Sequence, residues 1–335
     1  MTSTKATKLF PIIKFISDLP NGWIPQLLSP FPENGTATGR LVIIGDVHGM
    51  RKSLEALLEK VDFDKRKGDH LILVGDLVNK GPDSPGVVDL AIKLGASAVR
   101  GNHENAVLNA AAEIRATKDV QQNPENVPGT SPAPEISEAS TRLPGSTARD
   151  PEIPEKKHSS ATYSTASALS QHHLDWLAAL PLILRIKLPH NLSSPYGDTL
   201  VVTHAGLVPG IPLEEQDPYS IMHMRSLERA PGDVSGFTPA EASGEEGWVT
   251  EWDRWQDGLQ SKTTVVFGHD AKRRLQLGRY TIGLDSACLY GNQLSAIVIE
   301  ASEGKIGHRI VQVECADEPV APNIPKKEGG ETVVV

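Results

Sequence analysis

Acids, an amide and imidazoles recur at the ends of short apolar runs in this chain. Asp46 and His48 lie in Gly45-Asp46-Val47-His48-Gly49, and Asp76 opens Asp76-Leu77-Val78-Asn79-Lys80-Gly81. Asn102 and His103 lie in Gly101-Asn102-His103-Glu104, His204 in His204-Ala205-Gly206, and His269 in Gly268-His269-Asp270. Oxygen and imidazole donors without a thiolate suit borderline to hard divalent metals such as manganese, iron, cobalt or zinc. Six donors are too many for one zinc but match two ions that share a carboxylate. Two ions about 3.5–4 Å apart acidify a bridging water and clamp the oxygens of a phosphoryl group. One Asp-Gly or His-Gly at a strand end is ordinarily a turn, but five such motifs in series are not explained that way. His70, His158, His172, His173, His190, His223 and His308 fall outside the series and read as surface or structural residues.

The runs before these motifs are residues 41–45, 71–75, 97–101, 200–204 and 264–268. They are rich in Val, Ile and Leu with little alternation, as expected of strands covered on both faces. Leu54, Leu57, Leu58 and Val61 follow a helical period, as do Val87, Leu90, Ala91 and Leu94. Ser84 before Pro85 predicts a cap and first-turn residue for the second of these helices. Strand-helix-strand order implies parallel strands, whose carboxyl ends open onto one crevice. The runs 280–284, 294–299 and 309–313 predict an antiparallel addition. Residues 117–160 hold seven prolines and no aromatic residue apart from histidine, which predicts a disordered insertion, with a short helix around Leu174, Leu177 and Ala178 after it. Residues 230–247 read as a loop. The expected organisation is an N-terminal extension over 1–39, a catalytic domain over 40–314 and a tail over 315–335.

The chain has 335 residues, 39% hydrophobic and 22% charged, with 25 prolines and 29 glycines, so it holds one large domain or two small ones. No run is long and apolar enough to span a membrane, and the start lacks the order of a secretory signal. Two cysteines, Cys288 and Cys315, make no disulfide framework, which sets a cytoplasmic home as the expectation. A net charge of −9 argues against general nucleic-acid binding but not against a polyanionic phosphate substrate held by a local field. Oligomeric state is not legible.

Taken in order, the motifs resemble those of the phosphoprotein-phosphatase group of calcineurin-like metallophosphoesterases, over roughly residues 40–300. The resemblance implies an α/β fold, a four-layer α/β/β/α sandwich, with a dimetal site at one edge of the sheets. Carried over, Asp46, His48 and Asp76 would hold one metal ion. Asp76, Asn102, His204 and His269 would hold the other, with His103 as the acid for the leaving oxygen. Lys80-Gly81-Pro82-Asp83-Ser84 and the run from Gly283 to Gly291 resemble the symmetrical bis(5′-nucleosyl)-tetraphosphatases and their eukaryotic relatives. That branch implies a hydrolase of polyphosphate or dinucleoside polyphosphates by attack of metal-bound hydroxide. The alternatives are a serine/threonine phosphoprotein phosphatase and a phosphate-recognising scaffold without activity.

Protein phosphatases usually have Asp and Arg where this chain has Asn79 and Lys80. A neutral amide can orient His103 without stabilising its cation, which suits a phosphate leaving group better than an alkoxide. The other reading of Asn79 is plain packing. Lys80 gives a point charge in place of a guanidinium fork. Lys80 and Arg225 are expected to bind phosphate, whereas Lys272, Arg273 and Arg274 fit a phosphate path or a solvated charge run equally well. Trp248, Trp252 and Trp255 have helical spacing and read as a packing face before a base-stacking platform.

Overall fold

The computed structural model describes residues 9–24, 39–122, 157–229, 236–244 and 247–321. The strands are β1 (Ile16–Asp18), β2 (Leu41–Ile44), β3 (His70–Leu73), β4 (Ser97–Ala98), β5 (Ile183–Lys187), β6 (Thr199–Thr203), β7 (Ser226–Glu228), β8 (Thr238–Ala240), β9 (Thr263–Phe267), β10 (Gln276–Leu277), β11 (Thr281–Gly283), β12 (Gln293–Ser302) and β13 (Lys305–Glu314). The helices are α1 (Arg51–Lys60), α2 (Ser84–Leu94), α3 (Asn102–Gln122), α4 (Ser160–Ala168), α5 (Gln171–Ala178), α6 (Pro218–His223) and α7 (Trp248–Asp257). One sheet has the order β13-β12-β2-β3-β4, a second β1-β5-β6-β9-β11-β10, and β7 and β8 form a separate pair.

Period-two alternation sorts the strand residues into layers. Leu41, Ile43, Ile72 and Val74 meet Leu184, Leu200, Val202 and Val266 between the sheets. Val42, Ile44, Leu71 and Leu73 face the other way, onto Leu54 and Leu57 of α1 and Val87 and Ala91 of α2. Outside the second sheet, Ile183, Val201 and Val265 pack on Ile221 and Met222 of α6 and on Trp248 and Trp252 of α7. The result is the expected α/β/β/α stack. Burying each such aliphatic side chain contributes about 1.5–3 kcal/mol. Trp248 and Trp252 are almost fully buried, so the tryptophan series is a packing face. Among the described residues no helix is long and apolar enough to cross a membrane.

The motif-bearing strands are divided between the two sheets, β2, β3 and β4 in one and β6 and β9 in the other. Several expectations are corrected. Of the three C-terminal runs, β12 and β13 form an antiparallel pair, while β11 joins the other sheet, antiparallel to β10 and parallel to β9. Residues 230–247 are not all loop, because β8 pairs with β7. The cap of α2 is Asp83, whose carboxylate accepts from the Gly86 amide, and Ser84 is the first helical residue. The helix α3 continues through residues 117–122, and α4 starts at Ser160 after its Ser159 cap, so the expected insertion is helical at 117–122 and at its last residue. Its centre, 123–156, lies outside the described residues.

The boundaries at 39 and 314 are not packing boundaries. Strand β1 pairs parallel with β5. The fully buried Arg100 donates to Phe10 O, Pro11 O and Ala178 O at 3.3, 3.2 and 2.5 Å. At the other end, the Asp317 carboxylate accepts from Ser53 N and Ser53 Oγ at the start of α1, at 2.8 and 2.7 Å.

Candidate metal centre

The loops after β2, β3, β4, β6 and β9 meet at one edge of the two sheets. Asp46, His48, Asp76, Lys80, Asn102, His103, Arg225 and His269 line a single cavity of about 70 Å³, joined by Asp285 and Tyr290. His204 lies beneath, fully buried, 3.3 Å from Asp76 Oδ1. Every motif residue expected at the site is therefore brought together. His48, Asp76 and His269 all take up left-handed backbone, with φ of 49°, 50° and 68°. Such strain in non-glycine residues persists where the surroundings fix it, commonly at functional sites. Two glycines allow the loops to close. A Cβ on Gly268 would overlap the Asp46 carboxylate, and one on Gly81 would overlap the His48 carbonyl.

Hydrogen bonds fix the histidine tautomers. Nδ1 of His204 donates to the Val74 carbonyl at 3.0 Å, so in the neutral ring Nε2 is the lone pair; without a cation, burial opposes but Asp76 beside Nε2 raises the pKa of this imidazole. Nε2 of His269 donates to the His223 carbonyl at 3.1 Å, leaving Nδ1 as a lone pair. Those two nitrogens face each other at 3.1 Å, and Asn102 Oδ1 lies 3.0 Å from His204 Nε2. Lone pairs converging on Asp76 in this way fit a cation. Turned end for end, the Asn102 amide could instead donate into the cluster. Donor atoms of Asp76, His204 and His269 lie within 4.8 Å of one another, as do those of His48, Asp76 and His103. Asp76 is common to both groups, the position a bridging carboxylate needs. Among the described residues Nδ1 of His48 is buried without a hydrogen-bond partner of good geometry.

The electrostatics agree. Burial, then repulsion from Asp285 and Asp76, holds the Asp46 carboxyl well above the usual range. Burial pushes Asp285 up to about 6. Crowding of carboxylates in low dielectric is costly unless cations face them. The donor chemistry thus fits divalent ions.

His103 Nε2 lies 4.0 Å from Asp76 Oδ2, and burial lowers its imidazolium to about 4 against the pull of Asp76. The Asn79 amide donates to His103 Nδ1 at 2.9 Å and to Thr162 Oγ1 at 3.1 Å, so it does more than pack. Two positively charged side chains line the cavity. Partial desolvation lowers the Lys80 ammonium, opposed by Asp76, Asp46 and Asp285. Arg225 donates to the carbonyls of His269 and Glu241 at 3.3 and 3.2 Å. The cluster 272–274 is not part of the lining. Arg273 pairs with Asp270 at 2.5 Å, Arg274 donates to the Ser286 carbonyl, and Lys272 is exposed.

Sequence reasoning missed Glu104. Its carboxylate, fully buried, accepts from the amides of Asp76, Leu77 and Gly101 at 2.8 Å and of Val78 at 3.2 Å. It thereby ties the loop after β3 to the loop after β4. Its place in the third motif was the available signal. Thr162 and Thr165 of α4, which hold Asn79, carried none.

Comparison with known proteins points the same way. The chain is 28% identical over 281 residues to the zinc-dependent endopolyphosphatase of Saccharomyces cerevisiae, covering 82% of this chain and 81% of that one. It is 26% identical over 268 residues to the symmetrical bis(5′-nucleosyl)-tetraphosphatase of Cellvibrio japonicus, covering 77% and 94%. A solved structure provisionally assigned as a diadenosine tetraphosphatase superposes with a TM-score of 0.57 at 31% identity, covering 90% of this chain and 98% of that one. The calcineurin-like phosphoesterase pattern matches residues 39–298, which include every strand-end motif. With that span and this donor set, the chain belongs to the calcineurin-like phosphoesterase family, a family of hydrolytic enzymes.

Proposed function

We propose that the chain hydrolyses phosphoanhydrides, inorganic polyphosphate or dinucleoside polyphosphates, with two divalent ions. Asp46, His48 and Asp76 would hold one ion, and Asp76, Asn102, His204 and His269 the other. Manganese, zinc, iron and cobalt all suit these donors. When bound, the ions supply an acidified water and neutralise phosphoryl oxygens. Lys80 and Arg225, at the cavity wall, bind the non-bridging oxygens and keep the chain in line. His103 presents Nε2–H to the leaving oxygen. A cytosolic setting fits two free cysteines.

The observation that carries the anhydride reading is the bond from Asn79 to His103 Nδ1. An amide donor there favours the neutral ring and does nothing for the imidazolium. A phosphate leaving group, with a second pKa of about 6, departs with little protonation. A serine or threonine alkoxide needs a stronger acid, which is why the phosphoprotein alternative is the weaker one. The names of the two curated relatives support the same choice. Polyphosphate, a dinucleoside tetraphosphate and a phosphopeptide assayed side by side with manganese or zinc test the proposal. The anhydrides are expected to show the larger kcat/KM, and a preference for the phosphopeptide would overturn it.

A further inference from the structure

Beside the metal cavity lies a larger cleft that the reaction above does not use. Its volume is about 630 Å³, and Arg274, Ser286, Asn292, Gln293, Gln312 and Glu314 line it. The loop after β11 is the wall between the two spaces. Asp285, Ala287 and Tyr290 face the metal cavity, whereas Ser286 and Gly291 face the cleft. Arg274 takes up left-handed backbone, with φ of 62°, and Nη1 donates to the Ser286 carbonyl at 3.2 Å. The metal cavity, at about 70 Å³, admits a phosphoryl group but no nucleoside. A space of about 300–1,000 Å³ is the size that holds a ligand of that class.

The atoms that the cleft leaves open are mostly acceptors. Gln293 Nε2 donates to Glu314 Oε1 at 2.6 Å, across the register that pairs the start of β12 with the end of β13. Asn292 Nδ2 donates to the carbonyls of Ala287 and Tyr290 at 3.5 and 3.4 Å, and Gln312 Nε2 to Ser295 Oγ at 2.9 Å. Each amide nitrogen is thus occupied, while the three amide oxygens and Glu314 Oε2 have no partner among the described residues. Arg274 is the one cation of the lining. Inorganic polyphosphate carries acceptor oxygens and negative charge, so it has nothing to give the amide oxygens and is repelled by Glu314. A nucleoside brings ribose hydroxyls and base N–H groups, which are donors, and its phosphate suits a guanidinium.

Resting on the phosphoanhydride reading above, we propose that this cleft is a nucleoside subsite. It takes the ribose and base at one end of a dinucleoside polyphosphate, whose phosphates pass Arg274 and round the loop after β11 into the metal cavity. In a dinucleoside tetraphosphate cut at its middle, each nucleoside is separated from the central bond by two phosphates, so it belongs outside the metal cavity. The substrate that fills both spaces is then a nucleoside-capped polyphosphate, and inorganic polyphosphate is the poorer one.

Two variants test this. Glu314→Ala removes the open carboxylate at an exposed position, and Arg274→Asn removes the cation with a residue that tolerates left-handed backbone. Binding of ADP to the metal-stripped protein is followed by calorimetry, and turnover of diadenosine tetraphosphate and inorganic tripolyphosphate is measured with manganese. Wild type is expected to bind ADP, and each variant to bind it about fivefold or more weakly. Glu314→Ala should raise KM for diadenosine tetraphosphate about tenfold at unchanged kcat, with no rise in KM for tripolyphosphate. Wild type that does not bind ADP, variants that bind it as wild type does, or an equal change in KM for both substrates would overturn the subsite. So would a larger wild-type kcat/KM for tripolyphosphate than for the dinucleoside. ADP binding weakened by both variants, in a protein that cleaves neither anhydride, would instead overturn the phosphoanhydride reading and leave the nucleoside subsite standing.

Discussion

The side-chain amide of Asn79 donates to Nδ1 of His103 across 2.9 Å, and its direction is fixed from the other side. Asn79 Oδ1 accepts from the Lys80 backbone amide at 3.0 Å and from Thr165 Oγ1 at 3.4 Å, so the NH2 end must face the ring. A nitrogen that accepts carries no proton, so His103 is held as the neutral Nε2–H tautomer. An aspartate in place of Asn79 would accept from Lys80 with one oxygen and from His103 Nδ1–H with the other, which favours the imidazolium. Asn79→Asp is therefore expected to raise the His103 pKa and to improve alkyl phosphomonoesters over phosphoanhydrides by about tenfold in kcat/KM, about 1.4 kcal/mol. Equal changes on both substrates would mean that position 79 does not control protonation of the leaving group.

Asp76 is the one residue common to both candidate donor groups. Asp76→Asn, which keeps the shape and removes the charge, is expected to lower metal content from two equivalents to fewer than one and to abolish turnover. Elemental analysis of the purified variant checks this. Two ions held at wild-type affinity would exclude Asp76 as the bridge.

Glu104 satisfies four backbone amides with two carboxylate oxygens. Glutamine offers a single acceptor oxygen and turns an NH2 group toward the remaining donors. Each stranded buried donor costs about 1–3 kcal/mol, so Glu104→Gln should lose about 2–4 kcal/mol of unfolding free energy. Denaturant unfolding of the metal-free protein is the measurement, and a loss under about 1 kcal/mol would show that the loops hold without it.

The catalytic motifs were legible because each is a short polar word after an apolar run, and such words fall at strand ends whichever sheet a strand joins. Sheet membership was not legible for the same reason. Strands β3 and β9 are both covered on two faces, so neither carries an alternation that separates the sheets. Helix α4 escaped because Ser160-Ala161-Thr162-Tyr163-Ser164-Thr165 has no apolar stripe; it is held by its Ser159 cap and by Tyr163 donating to Glu113 at 2.6 Å. Asp83 and Ser84 are both good caps, and only the backbone turn decides between them. Three residues of β1 are too few to show a period, although they complete an edge of the second sheet.

The helical ends of the Pro-rich segment suggest a narrower excision than residues 117–160, which would remove the end of α3 and the Ser159 cap that starts α4. Replacing 123–156 by a short Gly-Ser linker keeps Glu113 with Tyr163 and Asn79 with Thr162. Cooperative thermal unfolding and a kcat within about twofold of wild type are expected. A broad melt would assign the excised residues a part in the fold.

The last prediction concerns pH and a histidine far from the metal centre. His70 opens β3, stacks on Trp23 with ring centroids 4.5 Å apart, and has Nε2 2.9 Å from Ser97 Oγ. Burial lowers its pKa to about 4. The unfolded chain, with an ordinary histidine near 6.5, therefore binds the proton more readily than the folded protein. Stability from this residue is complete above about pH 6.5 and is lost as pH falls toward 4, because the proton favours the unfolded state. Between pH 7 and pH 5 the loss should be about 1–2 kcal/mol, allowing for partial solvent screening. His70→Gln removes the titration, so its stability should change less than that of wild type over the same interval. Denaturant midpoints of both proteins at the two pH values give the comparison. Parallel pH profiles would mean that His70 is protonated in the folded protein as easily as in water, and that its stack with Trp23 tolerates the charge.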